Sequence, residues 1–101
     1  MALPKVRRSI VGIDKLLNSE YNPRNISNDA LSALKSSIEK FGLVQEIVVN
    51  ERNNKIVGGH QRIKAMRAAG VTKANVAYVD LNEHDEKALN IALNSPHLMG
   101  T

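Results

Sequence analysis

Short β-branched runs alternate with longer segments of helical periodicity along this chain. Ile10, Val11 and Ile13 are β-branched neighbours that predict a first strand and its exit. The polar turn at residues 52–55 separates two later apolar runs and predicts that they pair as an antiparallel hairpin. The four predicted strands cover residues 9–17, 46–50, 56–57 and 75–81.

Apolar residues three and four positions apart predict the helices. Ser27 or Asn28 caps the first helix, its apolar face is formed by Leu31, Leu34, Ile38 and Phe41, and Gly42 ends it. The second helix covers 60–69 and ends at Gly70. Asn82 caps the third, with Asp85 three residues on, and its predicted buried stripe is Ala88, Leu89, Ala92 and Leu93. This order predicts an α+β fold, with a small mixed sheet of about four strands and three packed helices.

A length of 101 residues corresponds to one domain. We expect a flexible basic tail at 1–8, the domain at 9–94 and a carboxy-terminal tail at 95–101. No apolar run approaches the roughly 20 residues that span a bilayer, and the amino end lacks the apolar region of a signal peptide. The expected compartment is therefore the cytoplasm, with no membrane contact.

Composition removes several classes of function. The chain has no cysteine, which excludes disulfide scaffolds, thiolate zinc sites and cysteine nucleophiles. Aromatic residues make up only 3%, which argues against a surface that stacks nucleic-acid bases. The net charge of +4 is compatible with an anionic partner, and equally with charge that serves solubility.

The most informative segment is the pair Gly58-Gly59 between a predicted strand and a predicted helix. Glycines there allow a sharp turn and leave the first helical amides uncovered, at the positive end of the helix dipole. Such a turn is either an anion site or simply a tight connection. Arg62 falls within the apolar arc of the helix, where it either reaches back to an anion or pairs with a core carboxylate, Asp80 or Glu46.

A second set of cations follows the opposite arc of the same helix. His60, Lys64 and Arg67 have i, i+4, i+7 spacing and share one predicted exposed strip. The strip is either a solvated face or a surface for DNA phosphates, aided by Arg7 and Arg8 on the amino-terminal tail.

Three blocks of sequence, in this order, resemble the ParB-like (ParBc) amino-terminal domain of the ParB/sulfiredoxin superfamily. They are Tyr21-Asn22-Pro23-Arg24, the helix, glycine and strand at 34–49, and the turn and helix at 57–70. With residues 76–93 they cover nearly the whole chain between the tails. The Gly-Gly-His-Gln-Arg form of the turn is most similar to ParB-like domains of phages and mobile elements and of the neighbours of DNA methyltransferases.

The resemblance implies a nucleotide-binding module that acts in phage, plasmid or methylation-associated DNA transactions. The implied ligand is a nucleoside triphosphate, CTP or ATP, with Mg²⁺ left open. The implied partners are DNA and a DNA methyltransferase or another DNA-processing protein. From the cationic strip we expect the binding of DNA to be weak and without sequence preference. The residues implied to hold the phosphates or close the site are Gly58, Gly59, His60, Gln61, Arg62, Asn22 and Arg24.

Departures from the family pattern narrow this expectation. His60 stands where sulfiredoxins place a reactive cysteine, so sulfinic-acid reduction is excluded. The positions that match the glutamate–asparagine pair of partition proteins are Ile91 and Ala92, and no residues have diagnostic metal spacing, so we expect no metal site. Glu46 stands where the family strand often begins with proline. The segment after Asn94 is too short for a helix-turn-helix domain, so we expect no sequence-specific DNA binding.

Two alternatives remain open. One is a ParB-like nuclease or phosphotransfer enzyme, for which Glu46, His60 and Asp80 are weak catalytic candidates. The other is a non-catalytic protein-interaction domain in which the glycine turn is purely structural.

Overall fold

The computed structural model describes residues 3–18, 27–43 and 45–94, and it confirms the predicted order of elements. The strands are β1 (Arg7–Gly12), β2 (Ile47–Asn50), β3 (Lys55–Gly58) and β4 (Lys73–Val79), and the helices are α1 (Asn28–Phe41), α2 (His60–Ala68) and α3 (Glu83–Asn94). A short 3-10 turn, Ile13–Lys15, follows β1. Among the described residues, no helix combines the length and apolar character needed to cross a bilayer.

The four strands form one mixed sheet in the order β1-β4-β2-β3. β4 runs antiparallel to β1 and parallel to β2, and β2 and β3 form the predicted antiparallel hairpin. Leu17 covers the outer edge of β3: its N–H donates to the Asn54 carbonyl at 2.9 Å, and its carbonyl accepts from Ile56 N–H at 2.8 Å. The predicted α+β fold, with a mixed sheet of four strands and three helices, is therefore confirmed.

One face of the sheet carries the apolar core beneath α1 and α2. Alternation along the strands places the side chains of Ile47, Val49, Ile56 and Val76 on this face, and all four are fully buried. Ile63 and Met66 of α2 complete the centre of the core. α1 packs on α2, and α2 packs on β2, so the beginning of α2 lies close to the sheet.

The predicted caps and stops of the helices are confirmed. Ser27 Oγ accepts from Ala30 N–H at 3.1 Å, and Asn82 Oδ1 accepts from Asp85 N–H at 2.8 Å. Gly42 follows α1 with φ 82°, and Gly70 follows α2 with φ 78°. These positive φ angles explain why glycine ends both helices.

β1 begins two residues earlier than predicted, so Arg7 and Arg8 belong to the sheet and not to a flexible tail. Arg7 lies opposite Tyr78, and its guanidinium carbon is 4.3 Å from the centre of the tyrosine ring. Each arginine also pairs with a glutamate, Arg7 with Glu51 at 3.6 Å and Arg8 with Glu46 at 2.9 Å.

α3 packs mainly on β3, on the other face of the sheet, and its predicted buried stripe is wrong. Ala88, Ala92 and Leu93 are exposed and Leu89 is half-buried, whereas Glu86 and Asn90 are buried. Asn90 Nδ2 donates to the Val57 carbonyl at 2.9 Å. Polar contacts with the hairpin therefore decide which side of α3 faces the sheet.

Glu86 is the centre of these polar contacts. Its Oε1 accepts from Asn50 Nδ2 at 2.8 Å and from Asn53 Nδ2 at 3.0 Å. Asn50 is itself buried and also bonds both the N–H and the carbonyl of Leu81. The network joins the end of β2, the hairpin turn and the start of α3.

His60 contradicts the predicted exposed strip, because it is only 8% exposed. Neither ring nitrogen has a partner in hydrogen-bonding geometry. Burial lowers the pKa of His60, and the nearby Ile56 backbone, which favours the protonated ring, opposes this shift only in part. The ring is therefore a neutral part of the interior.

Replacing Glu86 with alanine removes the acceptor that buried Asn50 shares with exposed Asn53, and Asn50 Nδ2 then keeps only the Leu81 carbonyl. We expect the free energy of unfolding to fall by roughly 1–3 kcal/mol. The control is Glu83→Ala, which removes an exposed acid that pairs with Lys87 at 3.4 Å and should change stability by less than about 0.5 kcal/mol. Chemical denaturation measures both. Equal losses would show that Glu86 does not anchor α3.

The lowered pKa of His60 predicts a pH dependence of stability. Above the ordinary value of 6.5 the ring is neutral in both states, whereas below it the unfolded chain takes up a proton that the folded protein resists. The free energy of unfolding should therefore fall as pH is lowered from about 7 to 5. His60→Gln should lose this component, measured by denaturation at each pH, and an NMR titration of the wild-type ring should show a midpoint below 6.5. The same decline in wild type and in His60→Gln would show that His60 does not cause the pH dependence of stability.

Candidate functional site

The turn between β3 and α2 brings the backbone against two neighbouring elements. Gly59 has φ 98°, and a β-carbon there would lie 2.7 Å from Ile47 Cδ1 and 3.4 Å from Ile47 Cα. A β-carbon on Gly58 would lie 2.8 Å from Leu93 Cδ1. Gly59 is therefore needed for its left-handed conformation and for its close approach to Ile47, whereas a side chain on Gly58 would have to displace the side chain of Leu93.

The amino end of α2 is electropositive. Gly59 is the N-cap and offers no side chain to the helix, and the first intrahelical bond runs from Ile63 N–H to the Gly59 carbonyl at 3.0 Å. The first turn of α2 has no acidic residue, whereas α1 has Asp29 there and α3 has three acids. The positive end of the α2 dipole is therefore not compensated by its own first turn.

Arg62 adds a cation at this end of the helix. Its guanidinium is partly buried and donates to the side-chain oxygen of Gln45. Gln45 lies two residues before Ile47, whose backbone contacts Gly59, so the bond holds Arg62 beside the entrance to α2. Burial lowers the pKa of Arg62, but a guanidinium remains protonated in proteins.

The alternative in which Arg62 pairs with a core carboxylate is wrong. Asp80 binds Arg52 at 2.5 Å, and Glu46 binds Arg8. The partner of Arg62 is a neutral amide, so its positive charge is not cancelled within the described residues. This is the property that an anion-binding arginine needs.

An apolar groove of about 480 Å³ adjoins the turn on the α3 face of the sheet. Val48, Ala77 and Val79 form its floor, on the part of the sheet that α3 does not cover. The groove reaches the turn through Leu93, which packs on Gly58, and through Gln45, which binds Arg62. Its other lining residues are Val6, Arg8, Glu46 and Leu89.

The structure brings together some of the residues predicted from the sequence. Gly58, Gly59 and Arg62 meet at the turn, Gln61 is half-buried in the first turn of α2, and buried His60 follows Gly59. The predicted contributions of Asn22 and Arg24 lie outside the described residues.

The remaining candidates do not form one site. Lys64 and Arg67 are exposed on α2, but without His60 beside them. Glu46 lies just before β2 and Asp80 just after β4, at opposite ends of these two parallel strands. Each of the two acids pairs with an arginine. Across the described parts of the chain, no group of three side chains could hold a metal ion. The catalytic candidates therefore have no shared geometry.

Gln45 is the site residue that sequence reasoning missed. Its contact with Arg62 depends on antiparallel pairing, which brings the beginning of β2 to the end of β3. Helical and strand periodicity describe each element alone and carry no signal for that contact.

Solved structures share this fold. A C-terminally truncated chromosome-partitioning protein ParB from Caulobacter crescentus, complexed with CTP-gamma-S, aligns with a TM-score of 0.80 and 23% identity, over 88% of this chain and 53% of that one. The Caulobacter protein complexed to the centromeric parS site aligns with a TM-score of 0.65 and 24% identity, over 75% and 42%. Sulfiredoxin from Arabidopsis thaliana aligns with a TM-score of 0.68 and 16% identity, over 85% and 97%.

Sequence comparison gives the family. A probable chromosome-partitioning protein ParB from Campylobacter jejuni is 34% identical over 94 residues, which cover 88% of this chain and 34% of the relative. The chain thus spans about a third of the length of the relatives it matches. The ParB N-terminal domain family matches residues 4–95, and the chain belongs to that family.

Proposed function

We propose that this domain binds the phosphates of a nucleoside triphosphate at the amino end of α2, as a non-catalytic module in DNA transactions. One observation carries the proposal: Arg62, held by a neutral amide, meets a helix end with neither a side-chain cap nor an acid in its first turn. A cation and helix amides that converge on one place are suited to phosphate. The complex of the Caulobacter neighbour with CTP-gamma-S supports a nucleotide as the ligand.

The groove beside the turn is a suitable place for the nucleoside. Its floor of Val48, Ala77 and Val79 offers apolar surface to a base or ribose, and Gln45 provides a polar group at the rim. CTP is the first candidate because of that neighbour, and ATP the second. Any Mg²⁺ that accompanies the triphosphate would be held largely by phosphate oxygens and water.

DNA binding is a second candidate function, favoured by the exposed cations Lys64 and Arg67 on α2. Arg7 and Arg8 add charge on β1, where their exposed pairs with glutamates are weak enough to exchange for phosphate contacts. The complex of a Caulobacter neighbour with parS supports DNA as a partner. We expect contacts with the DNA backbone and no reading of base sequence.

The form of the turn supports a more specific setting. Gly58-Gly59-His60-Gln61-Arg62 is the variant that we associate with phages, plasmids and DNA methylation. We therefore extend the proposal to such a system, with a DNA methyltransferase or another DNA-processing protein as a partner.

Nucleotide titration followed by backbone NMR tests the proposed site. CTP should move the amide signals of residues 58–62 more than those of α1 or β1. Arg62→Ala should weaken binding about ten- to hundredfold, the effect of losing a charged hydrogen bond of roughly 1.5–3 kcal/mol. Arg67→Ala removes the same charge from the exposed side of α2 and should weaken binding less than about threefold.

The outcomes separate the alternatives. Equal losses in the two variants would show that general charge holds the nucleotide, and shifts that avoid residues 58–62 with both CTP and ATP would remove the site. Hydrolysis of nucleotide or cleavage of DNA by the purified protein would favour an enzyme.

Fluorescence anisotropy with unrelated duplexes tests the DNA surface. Binding should be weak and independent of sequence. A plot of the logarithm of the binding constant against the logarithm of the salt concentration should have a slope of roughly −0.9 per phosphate contact, for about two to four contacts. Lys64→Ala/Arg67→Ala should weaken it, whereas Lys15→Ala/Lys87→Ala removes the same charge from other elements and should weaken it less. No binding at low salt, or tight binding to one sequence only, would contradict the proposal that this surface binds the DNA backbone.

A further inference from the structure

Two neighbouring residues before β2 bind two different arginines. The side-chain oxygen of Gln45 accepts from Arg62, while Glu46 Oε1 accepts from Arg8 Nε at 2.9 Å. Arg8 lies on β1, so this ion pair crosses β4 to reach Glu46. Arg8, Gln45 and Glu46 line the same groove beside the turn.

The two partners have different effects on an arginine. A neutral amide orients the guanidinium of Arg62 and leaves its charge available, whereas a carboxylate would compete with a phosphate for the same N–H groups. Glu46 follows Gln45 directly and lines the same groove, so it is the acid next to the residue that binds Arg62. What occupies the Glu46 carboxylate therefore decides whether Arg62 is free to bind an anion.

We propose that Arg8 is a positioning residue for the anion site, because it holds Glu46 away from Arg62 and so preserves the charge of Arg62 for the ligand. The inference rests on the proposed role of Arg62 as a phosphate contact. The side chains of Arg8 and Glu46 are 65% and 37% exposed, so their pair contributes little to stability. The ion pair between Arg8 and Glu46 instead affects which charged groups are available to bind the ligand.

Arg7 provides a matched control on the same strand. It is also exposed and also pairs with a glutamate, Glu51, at 3.6 Å. Its side chain lies over Tyr78, on the face of the sheet opposite the groove. Arg7→Ala therefore removes the same charge as Arg8→Ala without releasing Glu46.

The experiment measures the CTP affinity of five proteins by calorimetry. Arg8→Ala should bind about three- to fivefold more weakly than wild type, the ratio that a partly exposed ion pair with Arg62 produces. Arg7→Ala should stay within about twofold, and Glu46→Gln should bind at least as tightly as wild type. Arg8→Ala/Glu46→Gln should return to within about twofold of wild type, because no carboxylate is left to occupy Arg62.

The double variant decides between Arg8 as a positioning residue and Arg8 as a direct contact. If it binds as weakly as Arg8→Ala, Arg8 touches the ligand or supports β1, and the inference is wrong. Equal losses of CTP affinity in Arg7→Ala and Arg8→Ala would show that only the net charge of the domain matters, and they would overturn the inference as well.

A ligand-free measurement separates this inference from the proposed function. The Nε–H signal of Arg62 should move in Arg8→Ala, as Glu46 turns to it, and return in the double variant. An unmoved signal overturns the inference even if wild type binds CTP. Failure of wild type to bind CTP, ATP or pyrophosphate overturns the nucleotide function, while a moving signal would still support the release of Glu46 toward Arg62.

Discussion

At the junction of β3 and α2, the backbone of Gly59 rests against Ile47 with no room for a side chain between them. β2 and β3 are antiparallel, so the end of one strand meets the beginning of the other. Their contact determines where α2 begins and which residues lie beside its first turn. Gln45, two residues before Ile47, thereby comes within reach of Arg62. A constraint on the backbone thus brings the cation to the end of the helix.

The groove beside the turn exists because α3 packs on β3 and leaves part of the sheet uncovered. At one end Glu86 binds the hairpin through Asn50 and Asn53, and at the other Leu93 packs on Gly58. To bury Ala88 and Ala92 instead, α3 would have to pack over β2 and β4, at the centre of the sheet. The polar anchor turns that side of α3 to solvent and leaves apolar surface open next to the glycine turn.

The features predictable from sequence were those encoded within single elements. The caps at Ser27 and Asn82, the glycine stops and the hairpin depend on local backbone chemistry, and the structure has them where they were expected. The position of Arg62 within an apolar arc also indicated correctly that it is not a solvated surface residue.

The errors concern properties that depend on contacts between elements. A helical wheel places His60 on a solvated strip because it does not show which neighbours cover the start of the helix. Glu86 and Asn90 carry no apolar signal, and their burial goes with polar contacts to the hairpin. Glu86 binds Asn50 and Asn53, and Asn90 binds the Val57 carbonyl. The apolar pattern does not show the start of β1, because Arg7 and Arg8 interrupt it, although an edge strand tolerates exposed arginines.

Local pairing of charges matters more to the site than the net charge of +4. Acids near the strand ends each pair with an arginine: Glu46 with Arg8, Glu51 with Arg7 and Asp80 with Arg52. The neutral ring of His60 contributes no charge, and the first turn of α2 has no acid to contribute. Within the described residues, the field at this helix end is therefore set mainly by the α2 dipole and Arg62. A small domain can in this way present a concentrated positive site without a large excess of basic residues.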